Sequence, residues 1–237
     1  MKYVRALWFN LTFYGTNIIM SVSLMGSLLL PRKMVVKAVL IWLGTVAWVE
    51  NHLGGISYRV IGRENIPRGA CIIASKHQSE WETFKLHLLV NDPAIVLKRE
   101  LLRIPIIGWY MSRSGSIPID RSGRTKTISA MTDAARKAAA EGRPIVIFPE
   151  GTRAAPGESR PYKSGVAALY QDLNIPVVPM ALNSGLLWPK NAFVKKPGII
   201  TVEFLPPIPA GLPREEMMRR LRNELEPAAL RLLPPAS

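Results

Sequence analysis

From Ile56 onward, short apolar runs alternate with longer stretches of helical periodicity, and this alternation constrains the fold more than any other feature of the chain. Ile56–Ile61, Ala70–Ala74, Ala94–Leu97, Ile117–Ile119, Ile145–Phe148 and Val177–Leu182 read as strands, and Ile199–Phe204 as an edge strand. Between and after them, Glu80–Leu89, Ile104–Met111, Thr127–Ala140, Gly165–Leu173 and Pro213–Leu232 read as helices, with Gly142 closing the alanine-rich one. Continuous apolar runs such as Ile145–Phe148 suit strands covered on both faces. The pattern predicts an α/β fold with a largely parallel central sheet flanked by helices. No internal repeat interrupts it.

The first 55 residues follow another rule, which divides the chain into an N-terminal membrane-associated two-helix segment, 1–55, and an α/β domain, 56–237. Ala6–Leu30 carries no charge and exceeds the roughly 20 apolar residues that cross a bilayer. The second uncharged run, Ala38–Val49, is short for a span and suits an interfacial or re-entrant helix. Lys2, Arg5, Arg32, Lys33 and Lys37 flank both runs, so a hairpin entering from the cytoplasmic face fits better than a crossing. Trp8, Trp42 and Trp48 then sit at headgroup level or pack on the body. The first run is too long for a typical signal peptide, and no small-x-small cleavage site follows it.

A net charge of +14 and a pI of about 10.3 call for an anionic partner: nucleic acid, anionic lipid or a phosphorylated substrate. Nucleic acid is disfavoured because the basic residues scatter and only 8% of residues are aromatic. Cys71 is the only cysteine, which excludes an intrachain disulfide framework, and its apolar surroundings predict burial. His52, His77 and His87 match no zinc-site spacing, so no metal is implied. Tyr162 stands where a phosphate-binding P-loop ending at Lys163-Ser164 needs glycine, and no Gly-x-Ser-x-Gly elbow is present.

Polar residues gather where the expected strands end, which is where open α/β sheets bind ligands. His77 follows Ala70–Ala74, Glu150 to Arg153 follow Ile145–Phe148, Asn183 follows Val177–Leu182, and Asp120-Arg121 follow Ile117–Ile119. An imidazole is the usual general base near neutral pH and needs a partner on its second nitrogen. Glu82, in the first turn of the next helix, can reach back to His77. Ser79-x-x-Glu82 is equally a capping box, so the residues leave both roles for Glu82 open. Glu80 is a second candidate carboxylate. In Phe148-Pro149-Glu150-Gly151-Thr152-Arg153, Gly151 permits close backbone approach and Arg153 offers a fork for phosphate. The basic stretch from Lys98 to Lys126 reads either as an anion-binding surface or as a solvated face. Arg121, directly after a strand, is its strongest candidate.

Four blocks in order resemble the glycerolipid acyltransferase family, and in particular bacterial 1-acyl-sn-glycerol-3-phosphate acyltransferases. His77 and Glu82 match a His-x4-Asp block; Gly115 with Ile119-Asp120-Arg121 matches a second; Phe148 to Arg153 match a third in full; Val178-Pro179-Met180-Ala181 matches a fourth. The family's aspartate is Glu82 here, a carboxylate with one more methylene. The resemblance implies transfer of a fatty acyl group from acyl-CoA or acyl carrier protein to the sn-2 hydroxyl of lysophosphatidate, without a covalent enzyme intermediate or a cofactor. It implies His77 as base and Glu82 as its orienting partner. Arg153, with Gly151, Thr152 and Arg121, would bind the phosphate, and Glu150 would orient the arginines. It also implies residence at the inner membrane with the catalytic domain on the cytoplasmic face. Two alternatives stand beside it: another acceptor, such as glycerol 3-phosphate or a lyso-aminolipid, and a non-catalytic anionic-lipid-binding protein.

Overall fold

The computed structural model describes residues 1–120 and 124–234, with side chains at 124–127 excepted. Two N-terminal helices, α1 (Lys2–Ser23) and α2 (Arg32–Val49), precede the sheet. The body then runs β1 (Ile56–Ile61), β2 (Ile72–Ser75), α3 (Trp81–Leu89), β3 (Ala94–Lys98), α4 (Ile107–Arg113), β4 (Ile117–Ile119), α5 (Arg124–Ala140) and β5 (Ile145–Ile147). It closes with α6 (Ser164–Leu173), β6 (Val177–Leu182), α7 (Ser184–Leu187), β7 (Gly198–Phe204) and α8 (Arg214–Arg231).

The strands form one seven-stranded sheet in the order β1-β7-β6-β2-β5-β3-β4. Every neighbouring pair is parallel except β6 with β7. The expected edge position of Ile199–Phe204 is therefore corrected: β7 lies inside the sheet, because β1 pairs along its outer side from Ile56 with Gly198 to Ile61 with Glu203. The expected helix at Ile104–Met111 starts later, at Ile107, after tight 3₁₀ turns at Arg99–Arg103 and a left-handed Ile106 at φ 63°.

Strand periodicity sends alternate residues to opposite cores. Ile73, Val146 and Val178 enter one core together with α1, α2 and α3. Ile72, Ala74, Ile145 and Ile147 enter the other, with α5, α6 and α8. Phe9, Phe13, Val39, Trp42 and Val46 of the N-terminal helices thus share a core with the sheet.

The hairpin is hydrophobic on its outside. The inner face of α1 buries Asn10, Asn17 and Ser21, whereas Trp8, Leu11, Ile18 and Ile19 are exposed. Each buried amide is bonded: Asn17 Oδ1 accepts from Trp42 Nε1 at 3.1 Å, and Asn10 Nδ2 donates to the Phe193 carbonyl at 2.9 Å. Among the described residues, the one segment long and apolar enough to cross a membrane is Arg32–Gly54, and half of its apolar window is buried within the protein. By the length of their uncharged runs, the sequence predicts the reverse, with the first long enough to cross and the second short for a span. Helix α2 begins well before the uncharged run at Ala38 and continues through a π-helical turn, Glu50–Gly54, while Asn10, Thr12, Thr16 and Asn17 dilute α1.

Candidate active site

Strands β6, β2 and β5 are adjacent and parallel, so their carboxyl ends open on one edge of the sheet. That geometry brings the His77 loop, the Phe148–Arg153 turn and the start of α7 together. His77 lies between β2 and α3, its side chain 17% exposed. Its Nδ1 is 2.9 Å from Glu82 Oε1. The same oxygen accepts the backbone N–H groups of Gln78 and Ser79, both at 2.7 Å, and Ser79 Oγ accepts from Trp81 N at 3.0 Å. Glu82 therefore orients the imidazole and caps α3 at once, with one oxygen.

The second oxygen, Oε2, accepts the Ser184 hydroxyl at 2.7 Å. Glu82 is fully buried, and four donors offset the loss of its hydration. Because the carboxylate only accepts, Nδ1 carries the hydrogen and Nε2 is left as the proton-accepting nitrogen. Glu80 makes no part of this pair: its Oε1 accepts from Trp188 Nε1 at 3.1 Å.

Two contacts fold the Phe148–Arg153 turn onto His77. The Phe148 ring stacks on the imidazole with centroids 4.1 Å apart, and Ala154 N donates to the His77 carbonyl at 2.8 Å. Gly151 sits at φ 67°, in the left-handed region that favours glycine, and its N–H closes the turn on the Phe148 carbonyl at 2.9 Å. Thr152 is exposed. Arg153 is half-buried, and its guanidinium has no hydrogen-bond or ion-pair partner among the described residues. A half-buried arginine without a protein partner among the described residues, on the turn that Ala154 N and the Phe148 ring fasten to His77, is a ready anion site. Glu150 instead turns inward and bonds Lys76 Nζ at 2.5 Å, so its partner is a lysine and not an arginine. Burial pushes the Glu150 carboxyl above the usual carboxylate range.

Arg121 lies outside the described residues; Asp120 stands at the end of β4. Gly115, at φ 80°, has a backbone reason: a side chain there would meet Arg143 Nη1 at 2.8 Å, and Arg143 bonds the Ser114 carbonyl at 3.0 Å. Asn183 is structural, since Oδ1 accepts from Thr201 N at 2.8 Å and Nδ2 donates to the Leu232 carbonyl at 2.9 Å. Ser184, one residue on, is the group that reaches the site. Only its place after β6 could have signalled it.

Comparison with known proteins gives the family and the fold. Residues 57–183, more than half of the chain, match the family described as Acyltransferase, and the chain belongs to that family. It is 40% identical over 161 residues to a 1-acyl-sn-glycerol-3-phosphate acyltransferase of Pseudomonas aeruginosa, covering 68% of this chain and 63% of that one. It is 34% identical over 167 residues to a protein of the same name from Limnanthes douglasii, covering 70% and 58%. The matches thus span about three-fifths of those relatives' own length. In fold, the chain resembles the crystal structure of the 1-acyl-sn-glycerophosphate (LPA) acyltransferase, PlsC, from Thermotoga maritima, with a TM-score of 0.83 over 100% of both chains at 23% identity.

Proposed function

We propose that this chain transfers a fatty acyl group from a thioester to the sn-2 hydroxyl of lysophosphatidate, with His77 as general base. The observation that carries the reading is the His77–Glu82 pair, bonded at 2.9 Å, with the turn that bears Arg153 fastened to His77 through Phe148 and Ala154. The names of the Pseudomonas and Limnanthes relatives support the choice of acceptor.

In this mechanism His77 Nε2 takes the hydroxyl proton as the oxygen attacks the thioester carbonyl. The imidazolium keeps its Nδ1 hydrogen on Glu82, whose negative charge offsets the new positive one. Collapse of the tetrahedral intermediate breaks the carbon–sulfur bond, and Nε2 returns the proton to the departing thiolate. Arg153 binds the acceptor's phosphate, with Gly151 and Thr152 shaping the turn around it. Arg121 supplies a second cation. No covalent enzyme intermediate and no cofactor enter these steps.

The apolar outer face of α1 and the exposed side of α2 seat the protein in the inner membrane, with the sheet on the cytoplasmic side. Both acyl chains then stay in lipid. Acyl-CoA or acyl carrier protein delivers the donor.

The test uses the purified protein in anionic phospholipid vesicles, with lysophosphatidate and either acyl donor. Phosphatidate and free thiol should appear in equal amounts. Arg153→Ala should raise the KM for lysophosphatidate while leaving the thioester KM unchanged. Absence of phosphatidate with both donors overturns the reading, and an unchanged acceptor KM removes Arg153 from the phosphate site.

A further inference from the structure

Immediately before His77, Lys76 buries its ammonium at 2% exposure in the body of the protein. Burying a charge costs several kcal/mol unless it is paired and fully hydrogen-bonded. Here three N–H donors meet three acceptors: Glu150 Oε1 at 2.5 Å, the Glu226 carboxylate at 3.1 Å and the Glu158 carbonyl at 3.4 Å. Tyr162 O–H donates to Glu226 Oε1 at 2.6 Å, and the Arg222 guanidinium lies 5.2 Å from the Tyr162 ring. Burial and the Glu226 contact hold the Tyr162 phenol protonated. One ammonium therefore ties together the β2–α3 loop, the Phe148–Arg153 turn, the loop carrying Glu158 and helix α8.

From this geometry we infer that Lys76 is a positioning residue, which sets the separation between His77 and the Arg153 guanidinium and engages α8 in doing so. The inference rests on the proposed roles of His77 and Arg153. His77 adjoins Lys76 in sequence, and Arg153 lies three residues beyond Glu150, so the lysine grips both loops at their roots. Buried ion pairs are poor stabilisers compared with apolar packing. Their better-attested use is to specify one geometry among several, and the geometry specified here is that of base against anion site. An acceptor held by its phosphate must present its hydroxyl to Nε2, and a misplacement of about 1 Å can cost ~10²-fold in rate.

Lys76→Met keeps the stem of the side chain and removes the three bonds. In vesicles, with rates normalised to folded protein by near-ultraviolet circular dichroism, this variant should raise the lysophosphatidate KM and lower kcat by about 10- to 100-fold. Its thioester KM should be unchanged. A role confined to folding would leave the normalised kcat and both KM values at their wild-type level, and that result overturns the inference. If Lys76→Met does not fold, Glu226→Gln decides the matter, because it retains an acceptor for Tyr162 while weakening the ammonium's second arm. A raised acceptor KM in that folded variant supports the inference, and an unchanged one refutes it. His77→Ala, run beside them, separates the two claims: activity in that variant defeats the proposed function itself, whereas an inactive His77→Ala beside a wild-type-like Lys76→Met defeats only the role of Lys76.

Discussion

Replacing Glu82 by glutamine separates the geometric role of the carboxylate from its charge. Oε1 accepts two backbone N–H groups at 2.7 Å besides His77 Nδ1, so the amide oxygen of the variant must occupy that position, because the amide nitrogen would oppose three donors. The new NH₂ then faces Ser184, whose hydroxyl can rotate to accept. Tautomer, ring orientation and helix cap survive, and only the negative charge opposite the forming imidazolium is lost. A hydrogen bond to a charged group contributes about 1.5–3 kcal/mol against about 1 for a neutral one. The difference, about 0.5–2 kcal/mol, corresponds to a fall in kcat of roughly 2- to 30-fold. Glu80→Gln is the matched control and should keep wild-type turnover, since its amide oxygen can still accept from Trp188. The assay is initial-rate thiol release with saturating lysophosphatidate in vesicles. Wild-type kcat in Glu82→Gln would show that the charge does nothing in the transition state. A loss as large as that of His77→Ala would show that the amide does not preserve the imidazole's orientation.

Other consequences follow from the same contacts. Ser184→Ala leaves Glu82 Oε2 buried without a donor, which should lower stability by about 1–3 kcal/mol in chemical denaturation and reduce kcat without changing either KM. Burial holds the His87 imidazole down to about 4, with Nδ1 sealed and unbonded. The folded state then binds fewer protons than the unfolded chain between pH 6.5 and 4, so the contribution is intact above 6.5 and is lost as pH falls through that window, by up to about 3 kcal/mol. Stability measured against pH should therefore be flatter in His87→Leu than in wild type over that interval, and parallel curves would refute the assignment. Gly115→Ala should destabilise the protein, because a φ of 80° strains any residue with a side chain and the added Cβ would lie 2.8 Å from Arg143 Nη1, and an unchanged melting temperature would contradict this.

Much of the fold is legible in the chain because strands covered on both faces leave continuous apolar runs. Ile145–Ile147 and Val177–Leu182 announce themselves in this way. The place of a strand within a sheet leaves no such trace: β7 reads like an edge because nothing local records that β1 pairs outside it. Length is misjudged where charge is the guide, since α2 starts at Arg32, ahead of its uncharged run. In the site, spacing alone placed Glu82 within reach of His77, but only geometry shows one oxygen serving both the imidazole and the cap. Ser184 and Glu226 escape a local reading altogether. The first is 102 residues from Glu82 and the second 150 from Lys76, and a lone hydroxyl or carboxylate carries no periodic signal.

The central claim is that His77 Nε2 removes the proton from the attacking hydroxyl, and single-turnover acyl transfer by His77→Ala tests it most directly. Wild-type and variant protein, matched for folding and for lysophosphatidate binding, would be mixed with one equivalent of acyl thioester in vesicles, and phosphatidate followed in time. Loss of a general base predicts a rate lower by about 10²- to 10⁴-fold with acceptor affinity retained. Phosphatidate formed by the variant at the wild-type rate would contradict the account.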